Sequence, residues 1–174
     1  NALWGLGQIN LPAHIKALDV GCGGGQNIAA LLRHTQSGKV YGVDYSIESV
    51  KKSQRVNQKA IARNKVEVLQ ARVSALPFDD GFFGLVTAFE TIYFWPDLSN
   101  DFKEVRRVLK QGGTFLICNE ASRPEDFAKW VEMLDMPVYT KDELSAALFT
   151  AGFSEIACHE HPNGKWLCVL AKKP

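Results

Sequence analysis

The chain has 174 residues, a length that suits one domain, and 46% of them are hydrophobic, which is typical of a globular protein. Its 20 basic and 19 acidic residues leave a net charge of +1, so charge gives no reason to expect a nucleic-acid partner. No apolar stretch approaches the ~20 residues of a membrane span and no signal peptide is visible, so we expect a cytoplasmic protein. The first residue is Asn1, not methionine, which leaves open whether the natural chain begins upstream; the oligomeric state is open too.

Short apolar runs alternate with helical segments, which predicts an α/β fold with a mainly parallel sheet. Five strands are predicted at residues 17–20, 40–43, 65–69, 82–89 and 114–118. Helices are predicted over residues 26–34, 50–62, 97–109, 123–134 and 141–151. The runs 153–159 and 165–171 are joined by Pro162-Asn163-Gly164, a hairpin signal, so we expect the sheet to finish with an antiparallel strand.

The ends of the predicted helices carry capping signals. Asp97 and Thr140 stand where N-caps are expected, and Ser46 precedes the helix that is rich in Lys, Arg and Gln. The pair Gly112-Gly113 is interpreted as the stop of the helix that begins at Asp97.

A glycine-rich loop follows the first strand and reads Asp19-Val20-Gly21-Cys22-Gly23-Gly24-Gly25. Glycines here let the backbone turn tightly and approach a ligand, and the loop lies where open α/β sheets bind ligands. Asp44 ends the second strand, at about the interval where an acidic residue meets ribose hydroxyls in nucleotide-binding folds. The pattern therefore predicts an adenosine-containing cofactor. NAD is disfavoured because Gln26 stands where its fingerprint has the third glycine.

Four segments taken together resemble the motifs of class I S-adenosylmethionine-dependent methyltransferases (the type 11 methyltransferase domain). They are ALDVGCGGGQNIAALL at 17–32, GVDYS at 42–46, ALPFDDGFFGLVTAFETIYFW at 75–95 and DFKEVRRVLKQGGTFLI at 101–117. The resemblance covers roughly residues 17–171 and is nearest to the small-molecule branch that includes the ubiquinone and menaquinone methyltransferases. It implies a Rossmann-like sheet of seven strands, mainly parallel with the last strand antiparallel, and helices on both faces.

The resemblance also implies which residues hold S-adenosylmethionine. Gly21 and Gly23 would approach the methionine half, Asp19 would orient the loop, Asp44 would hold the ribose and Tyr45 would lie against adenine. The full set of implied cofactor contacts is Asp19, Gly21, Cys22, Gly23, Asp44, Tyr45, Ser46, Arg72, Val73, Phe89 and Glu90. Cys22 is common at this place in the family and is expected to be only a small residue, not a nucleophile.

Two positions depart from the family pattern. The family often has Gly-Asp-Ala where this chain has Ala71-Arg72-Val73, and a guanidinium cannot accept a hydrogen bond from adenine as that Asp does. The Arg72 side chain would either stack on adenine or point to water. Backbone groups of Arg72 and Val73 could still form hydrogen bonds with the base. The family often has Phe-Asp before the fourth strand, where Phe83-Gly84 stand here.

The acceptor pocket is expected beyond the fourth strand, where Glu90 to Pro96 follow. Tyr93, Phe94 and Trp95 would form an aromatic wall for a flat or cationic acceptor, although one of Phe94 and Trp95 is expected to pack under the next helix instead. Glu90 could contact the methionine amine, act as a base or bind a cationic acceptor. Glu90 and Tyr93 are therefore the catalytic candidates.

The N-terminal residues 1–15 are expected to form a cover, with Trp4 folding over the cofactor as the third pocket residue beside Tyr93 and Trp95. The four cysteines show no Cys-x-x-Cys spacing and no clustered histidines, so no metal site is expected. Outside the glycine loop the cysteines are expected to be small buried residues: Cys118, Cys158 and Cys168.

These features predict one domain over residues 1–174 that transfers a methyl group from S-adenosylmethionine to a small-molecule acceptor by in-line displacement, leaving S-adenosylhomocysteine. Such a reaction needs alignment and exclusion of water more than a catalytic side chain. A non-catalytic module that binds or senses the cofactor is the alternative, since no base is obvious. Gln26 disfavours a nucleotide-dependent oxidoreductase. The lack of a basic aromatic patch disfavours methylation of protein or RNA.

Overall fold

The fold is built on one seven-stranded sheet, seen in a computed structural model that describes residues 1–35, 38–120 and 137–174. The strands are β1 (Ala17–Val20), β2 (Val40–Asp44), β3 (Val66–Gln70), β4 (Phe83–Phe89), β5 (Leu109–Asn119), β6 (Ser154–Glu160) and β7 (Leu167–Lys172). Their order is β3-β2-β1-β4-β5-β7-β6. The first five are parallel, whereas β7 is antiparallel to both of its neighbours. The predicted seven-stranded arrangement is confirmed.

The described helices are α1 (Ala2–Leu6), α2 (Ile28–His34), α3 (Ile47–Val56), α4 (Gln58–Ala62), α5 (Leu98–Val108) and α6 (Lys141–Thr150), and a short 3-10 turn covers Ile92–Phe94. The helix predicted over residues 123–134 lies outside the described residues. Among the helices just named, none has the length and apolarity to cross a bilayer.

Apolar side chains pack on both faces of the sheet, as predicted for a parallel sheet covered by helices. One face is covered by α1, α2 and α3, which bury Leu6, Ile28 and Val50. The other face is covered by α5 and α6, where Phe102 and Leu148 are fully buried. The central strands are therefore closed to water on both sides, and only the sheet ends remain for a ligand.

The helix predicted over residues 50–62 is two helices, because Asn57 interrupts it. The buried side chain of Asn57 donates to the carbonyl of Ser53, one turn back, and to the carbonyl of Gly25 in the glycine loop. A side chain that satisfies a helix carbonyl in this way competes with the helical hydrogen bonds. The break between α3 and α4 thus ties this helix pair to the loop after β1.

The pair Gly112-Gly113 does not end the helix that begins at Asp97; that prediction was wrong. The helix ends at Val108, because Leu109 already pairs with Phe83 in the sheet. Gly112 adopts φ +70° inside β5, where the register between β4 and β5 shifts, and its N–H donates to Lys173 O at 2.8 Å. The glycines therefore form an irregularity within a strand.

The predicted N-caps are confirmed. The Asp97 carboxylate accepts from the N–H of Asn100, and Thr140 forms a reciprocal capping box with Glu143 at the start of α6. Each satisfies backbone donors that the first helical turn leaves without partners.

Arg107 anchors the loop between β3 and β4, one end of which reaches the sheet's ligand-binding edge. Its guanidinium donates to the carbonyls of Leu76 and Phe78 at 3.0 and 2.8 Å. It also pairs with the carboxylates of Glu104 at 2.8 Å and Asp80 at 2.7 Å. A planar fork with five donors is needed to serve all four acceptors at once.

Substitution Arg107→Lys should lower the free energy of unfolding by about 1–3 kcal/mol, because an ammonium group cannot make these bonds together. Urea unfolding followed by circular dichroism measures this. The matched control is Arg106→Lys, which replaces a guanidinium bound to the single carbonyl of Gly152 at 2.9 Å and should change stability by less than about 0.5 kcal/mol. Equal losses in the two variants would contradict the assignment.

Candidate functional site

A cleft of about 360 Å³ opens at the carboxyl ends of β1, β2 and β4. This is the edge where parallel α/β sheets bind ligands, and the volume suits a nucleoside-sized molecule. The cleft is lined by Val20, Gly21, Asp44, Tyr45, Ser46, Ser49, Ala71, Arg72, Val73, Ser74, Glu90, Thr91, Phe94, Trp95 and Pro96. Seven of the eleven predicted cofactor contacts are in this lining: Gly21, Asp44, Tyr45, Ser46, Arg72, Val73 and Glu90.

Asp44 holds two segments of the cleft in place. Its Oδ2 accepts from the N–H of Gly23 and its Oδ1 from the N–H of Ser46, both at 2.9 Å. Ser46 then caps α3, because its hydroxyl accepts from the N–H of Ser49. A carboxylate oxygen can accept more than one hydrogen bond, so both oxygens keep capacity for hydroxyl donors of a ligand.

The glycine loop is shaped by contacts that only glycine allows. Gly21 has φ +73°, and a Cβ there would overlap the hydroxyl of Thr91 and stand 2.8 Å from its Cβ. Gly23 also has a positive φ, +51°, but faces open space. Cys22 is buried beside the loop, and burial raises the pKa of its thiol to about 12, which keeps the thiol protonated at neutral pH.

Asp19 is buried under the loop with half of its carboxylate unpaired. Its Oδ1 accepts from the Thr87 hydroxyl at 2.9 Å, whereas Oδ2 is buried and has no hydrogen-bond partner among the residues that the structure describes. Burial raises the pKa of this carboxyl to about 7; the Thr87 hydrogen bond opposes the rise and the nearby charge of Asp44 adds to it. The orphaned oxygen is the kind of group that a cationic ligand would complete.

Glu90 follows β4 in a conformation that side chains rarely adopt, with φ +54°. Its carboxylate accepts from the Tyr93 hydroxyl at 3.2 Å, from the side-chain amide of Asn1 and from the N–H of Glu120. Burial is the main cause that raises its pKa to about 7. Left-handed backbone at a cleft residue costs about 1–3 kcal/mol and is common at functional sites.

Tyr45 and Arg72 form the rim at the far end of the cleft. Tyr45 is 65% exposed, and the Arg72 guanidinium carbon lies 5.9 Å from the centre of its ring. Val73 is buried behind them. The exposed Tyr45 ring and the Arg72 guanidinium both offer flat surfaces for a planar base. The structure is therefore compatible with Arg72 stacking on adenine and with Arg72 pointing to water.

The aromatic residues after β4 divide between core and cleft. Trp95 is buried and stacks on Phe115 with ring centroids 6.2 Å apart, while Phe94 is 64% exposed at the cleft. Trp95 also packs edge-on against Phe102 of α5 with ring centroids 5.9 Å apart, so one of the two lies under the next helix, as predicted, although Trp95 also lines the cleft. Tyr93 is buried and reaches the cleft through its hydrogen bond to Glu90.

Trp4 does not line the cleft, so the prediction that it folds over the cofactor is wrong in this structure. Its ring packs edge-on against His161 at 5.1 Å and lies 6.2 Å from Trp166, beside the β6–β7 hairpin. The reason is Gly5, where a Cβ would lie 3.1 Å from the Sγ of Cys118, so α1 packs closely on β5 and directs Trp4 to the hairpin.

The other predicted residues outside the lining are Asp19, Cys22, Gly23, Phe89 and Tyr93. Phe89 is buried among the residues of the α1–α3 face. Cys158 is exposed, which contradicts the expectation of a buried residue, because it points outward from the edge strand β6. In the part of the chain that the structure describes, no cluster of three or more His, Cys, Asp or Glu could hold a metal ion.

Sequence reasoning missed two polar residues that shape this edge of the sheet. Thr91 fills the space above Gly21, and nothing in the sequence distinguishes it from an ordinary loop residue. Asn119 ends β5 with both side-chain polar atoms buried and, in the described part of the chain, without hydrogen-bond partners. Its signal was available: it is a polar residue that directly follows an apolar strand run, the pattern already used for Asp44.

Comparison with known proteins gives a family. A sequence profile described as a methyltransferase domain matches residues 18–117, more than half of the chain. A demethylmenaquinone methyltransferase of Lactiplantibacillus plantarum is 35% identical over 122 residues, covering 69% of this chain and 51% of that protein. One of Bacillus licheniformis is 33% identical over 173 residues, covering 93% of this chain and 70% of that protein.

The chain spans about half the length of the first of these relatives. Among solved structures, a SAM-dependent methyltransferase from Aquifex aeolicus superimposes with a TM-score of 0.83 at 22% identity, covering 100% of this chain and 90% of that one. At that identity the likeness concerns the fold, and it agrees with the sheet described above.

Replacing Gly21 by alanine should destabilise the protein more than replacing Gly23. Both substitutions place a side chain in left-handed backbone, at about 1–2 kcal/mol each, but only the first also meets Thr91. Thermal unfolding of the two variants side by side measures the difference. Equal melting temperatures would mean that Thr91 is free to move away from the loop.

The contribution of Asp19 to stability should depend on pH. With its pKa raised from 3.8 to about 7, the folded protein keeps a proton that the unfolded chain has released, so this contribution falls as pH rises from about 4 to about 7 and is constant above. Asp19→Asn should therefore melt at a higher temperature than the wild type at pH 8, with a gap that narrows towards pH 4. The exposed Asp79→Asn is the control, and a gap independent of pH would refute the shift.

Proposed function

Because this chain belongs to the methyltransferase domain family, we propose that it transfers a methyl group from S-adenosylmethionine to a small-molecule acceptor. The cofactor of the family is the one that the sequence predicts. One observation carries the proposal: a single cleft joins Asp44, a strand-end carboxylate with acceptor capacity left for ribose hydroxyls, to the half-buried carboxylate of Glu90, with the glycine loop between them. A cofactor site and a reaction site would thus be continuous.

The polar groups of the cleft fit the two ends of S-adenosylmethionine. Asp44 has acceptor capacity left for two vicinal sugar hydroxyls. The carboxylate of Glu90 suits the cationic amino-acid end, whereas Asp19 is buried beneath the glycine loop and lies outside the cleft lining. Tyr45 and Arg72 offer flat surfaces to adenine at the rim. When bound, the cofactor would supply an electrophilic methyl group.

The chain's own residues would then position the acceptor and exclude water. Phe94, Trp95 and Pro96 give an apolar wall on the β4 side of the cleft, suited to a flat apolar acceptor. Glu90, with a pKa near 7, could take a proton from an acceptor hydroxyl, and Tyr93 holds that carboxylate in place. Because curated relatives are demethylmenaquinone methyltransferases, an aromatic quinol is the acceptor class to test first.

Isothermal titration with S-adenosylmethionine and S-adenosylhomocysteine, with NAD as control, tests the cofactor. Binding of the first two alone is expected. Turnover is then measured as release of S-adenosylhomocysteine with a short-chain demethylmenaquinol as acceptor. Failure of the cofactor to bind would overturn the proposal, whereas binding without turnover would reject this acceptor class.

Asp44→Ala should weaken S-adenosylmethionine binding by a hundredfold or more, because it removes the ribose acceptor and releases both Gly23 and Ser46. Asp79→Ala, on the exposed loop before β4, is the matched acidic control and should bind normally. Unchanged affinity of the Asp44 variant in calorimetry would count against this site.

Glu90→Gln distinguishes two roles for this carboxylate. As a proton acceptor, its loss should lower kcat by about 10²–10⁴ and leave cofactor affinity nearly unchanged. As a ligand of the amino group, its loss should weaken cofactor binding instead. In the wild type, kcat should fall as the pH drops below about 7, where the carboxyl is protonated. A wild-type kcat that stays level between pH 6 and 8, together with full activity of the variant, would remove Glu90 from the chemistry.

A further inference from the structure

Charge is distributed unevenly along a chain whose total is nearly neutral. Residues 33–65 contain eight of the 20 basic residues and only two of the 19 acidic ones. This stretch therefore has a net charge of +6, and the rest of the chain has −5. In the fold the stretch includes α3 and α4, which cover one end of the α1–α3 face.

Four of these cations recur at intervals of four residues, at Lys51, Arg55, Lys59 and Arg63, and we call them the basic stripe. Within α3, Lys51 and Arg55 lie on one face about 6 Å apart along the axis, whereas Lys59 is in α4 and Arg63 follows its end, beyond the break at Asn57. All four are exposed, whereas Val50 and Ser53 on the opposite side of α3 are buried. The stripe is thus the outward face of this helix pair.

The protein itself hardly neutralises the basic stripe. Within residues 1–35, 38–120 and 137–174, the stripe's single ion pair joins Lys51 to Glu48 at 3.0 Å, and both side chains are well exposed. Such a pair is weak in water, and it leaves Arg55, Lys59 and Arg63 unpaired in that part of the chain.

Exposed apolar side chains border the basic stripe. Ile47 is 43% exposed and Val56 is 50% exposed, and on the helical wheel of α3 they lie on either side of the cations. Tyr45, 65% exposed, precedes the helix at the rim of the cleft. Helices that lie in the headgroup region of a bilayer combine cations with apolar side chains, and the exposed side of α3 offers both.

We propose that the basic stripe is a docking surface for an anionic lipid bilayer. The cations would meet the negative surface potential of acidic phospholipids, and Ile47 and Val56 would enter the headgroup boundary. A nucleic acid could use the cations but gains nothing from the aliphatic flanks, so lipid is the occupant that fits both features. The surface goes beyond methyl transfer and does not depend on it.

Sedimentation with vesicles tests this surface. The probes are vesicles of phosphatidylcholine alone and of phosphatidylcholine with one third phosphatidylglycerol, at low salt. The wild type should bind the anionic vesicles and not the neutral ones, and 1 M salt should release it. Each cation near such a surface contributes about fivefold, so the triple variant Arg55→Gln, Lys59→Gln, Arg63→Gln should bind roughly a hundredfold more weakly.

The matched control removes three exposed cations elsewhere, by Lys103→Gln, Lys110→Gln and Lys141→Gln. It has the same net charge as the stripe variant and should bind like the wild type. Far-UV circular dichroism establishes that both variants fold, which is expected because all six positions are exposed. Equal loss in the two variants, no binding by the wild type, or binding to a 30-bp DNA duplex without binding to vesicles would each overturn the proposal.

Discussion

The carboxylate of Asp44 is the constraint on which the ligand-binding edge depends. It stands at the end of β2 and is bonded through one oxygen to Gly23 and through the other to Ser46. The first bond sets the loop after β1, and the second sets the start of α3. Because the same helix pair returns to the loop through Asn57 and Gly25, the loop is held from both ends. The glycines give the loop backbone conformational freedom, and these hydrogen bonds restrict the backbone to the conformation that shapes the cleft.

The cleft collects negative charge before any ligand is present. Asp19 lies in β1, Asp44 ends β2 and Glu90 directly follows β4, on three neighbouring strands, and burial raises the pKa of Asp19 and Glu90 to about 7. Such a site is strained electrostatically when all three are ionised, and a cationic ligand relieves the strain. The basic stripe lies on the exposed side of α3 and α4, so the domain combines buried carboxylates with an exposed positive surface.

The repeating pattern of strands and helices was predictable because each buried strand is an apolar run in the sequence. Asp44 was predictable as a site residue because a charged residue at the end of such a run needs a partner. The break of the helix at Asn57 could not be predicted, because it depends on the distant partner Gly25. The place of Gly112 within a strand could not be predicted either, because it depends on Lys173. Trp4 was misplaced for the same reason, since its direction follows from the approach of Gly5 to Cys118. Thr91 could not be found from local sequence, because its role is to occupy the space left by another residue.

The cysteines differ sharply in access to solvent. Cys22, Cys118 and Cys168 are buried, and the pKa of Cys168 is raised by its contact with Cys118 and by burial, which keeps its thiol protonated. Cys158 alone is exposed, on the edge strand β6 beside Ser145 of α6. A maleimide dye applied to the folded protein would therefore attach at one position, on the edge strand at the other end of the sheet from β3. The molecule thus offers a natural attachment point for fluorescence or for surface immobilisation, without any cysteine having to be removed.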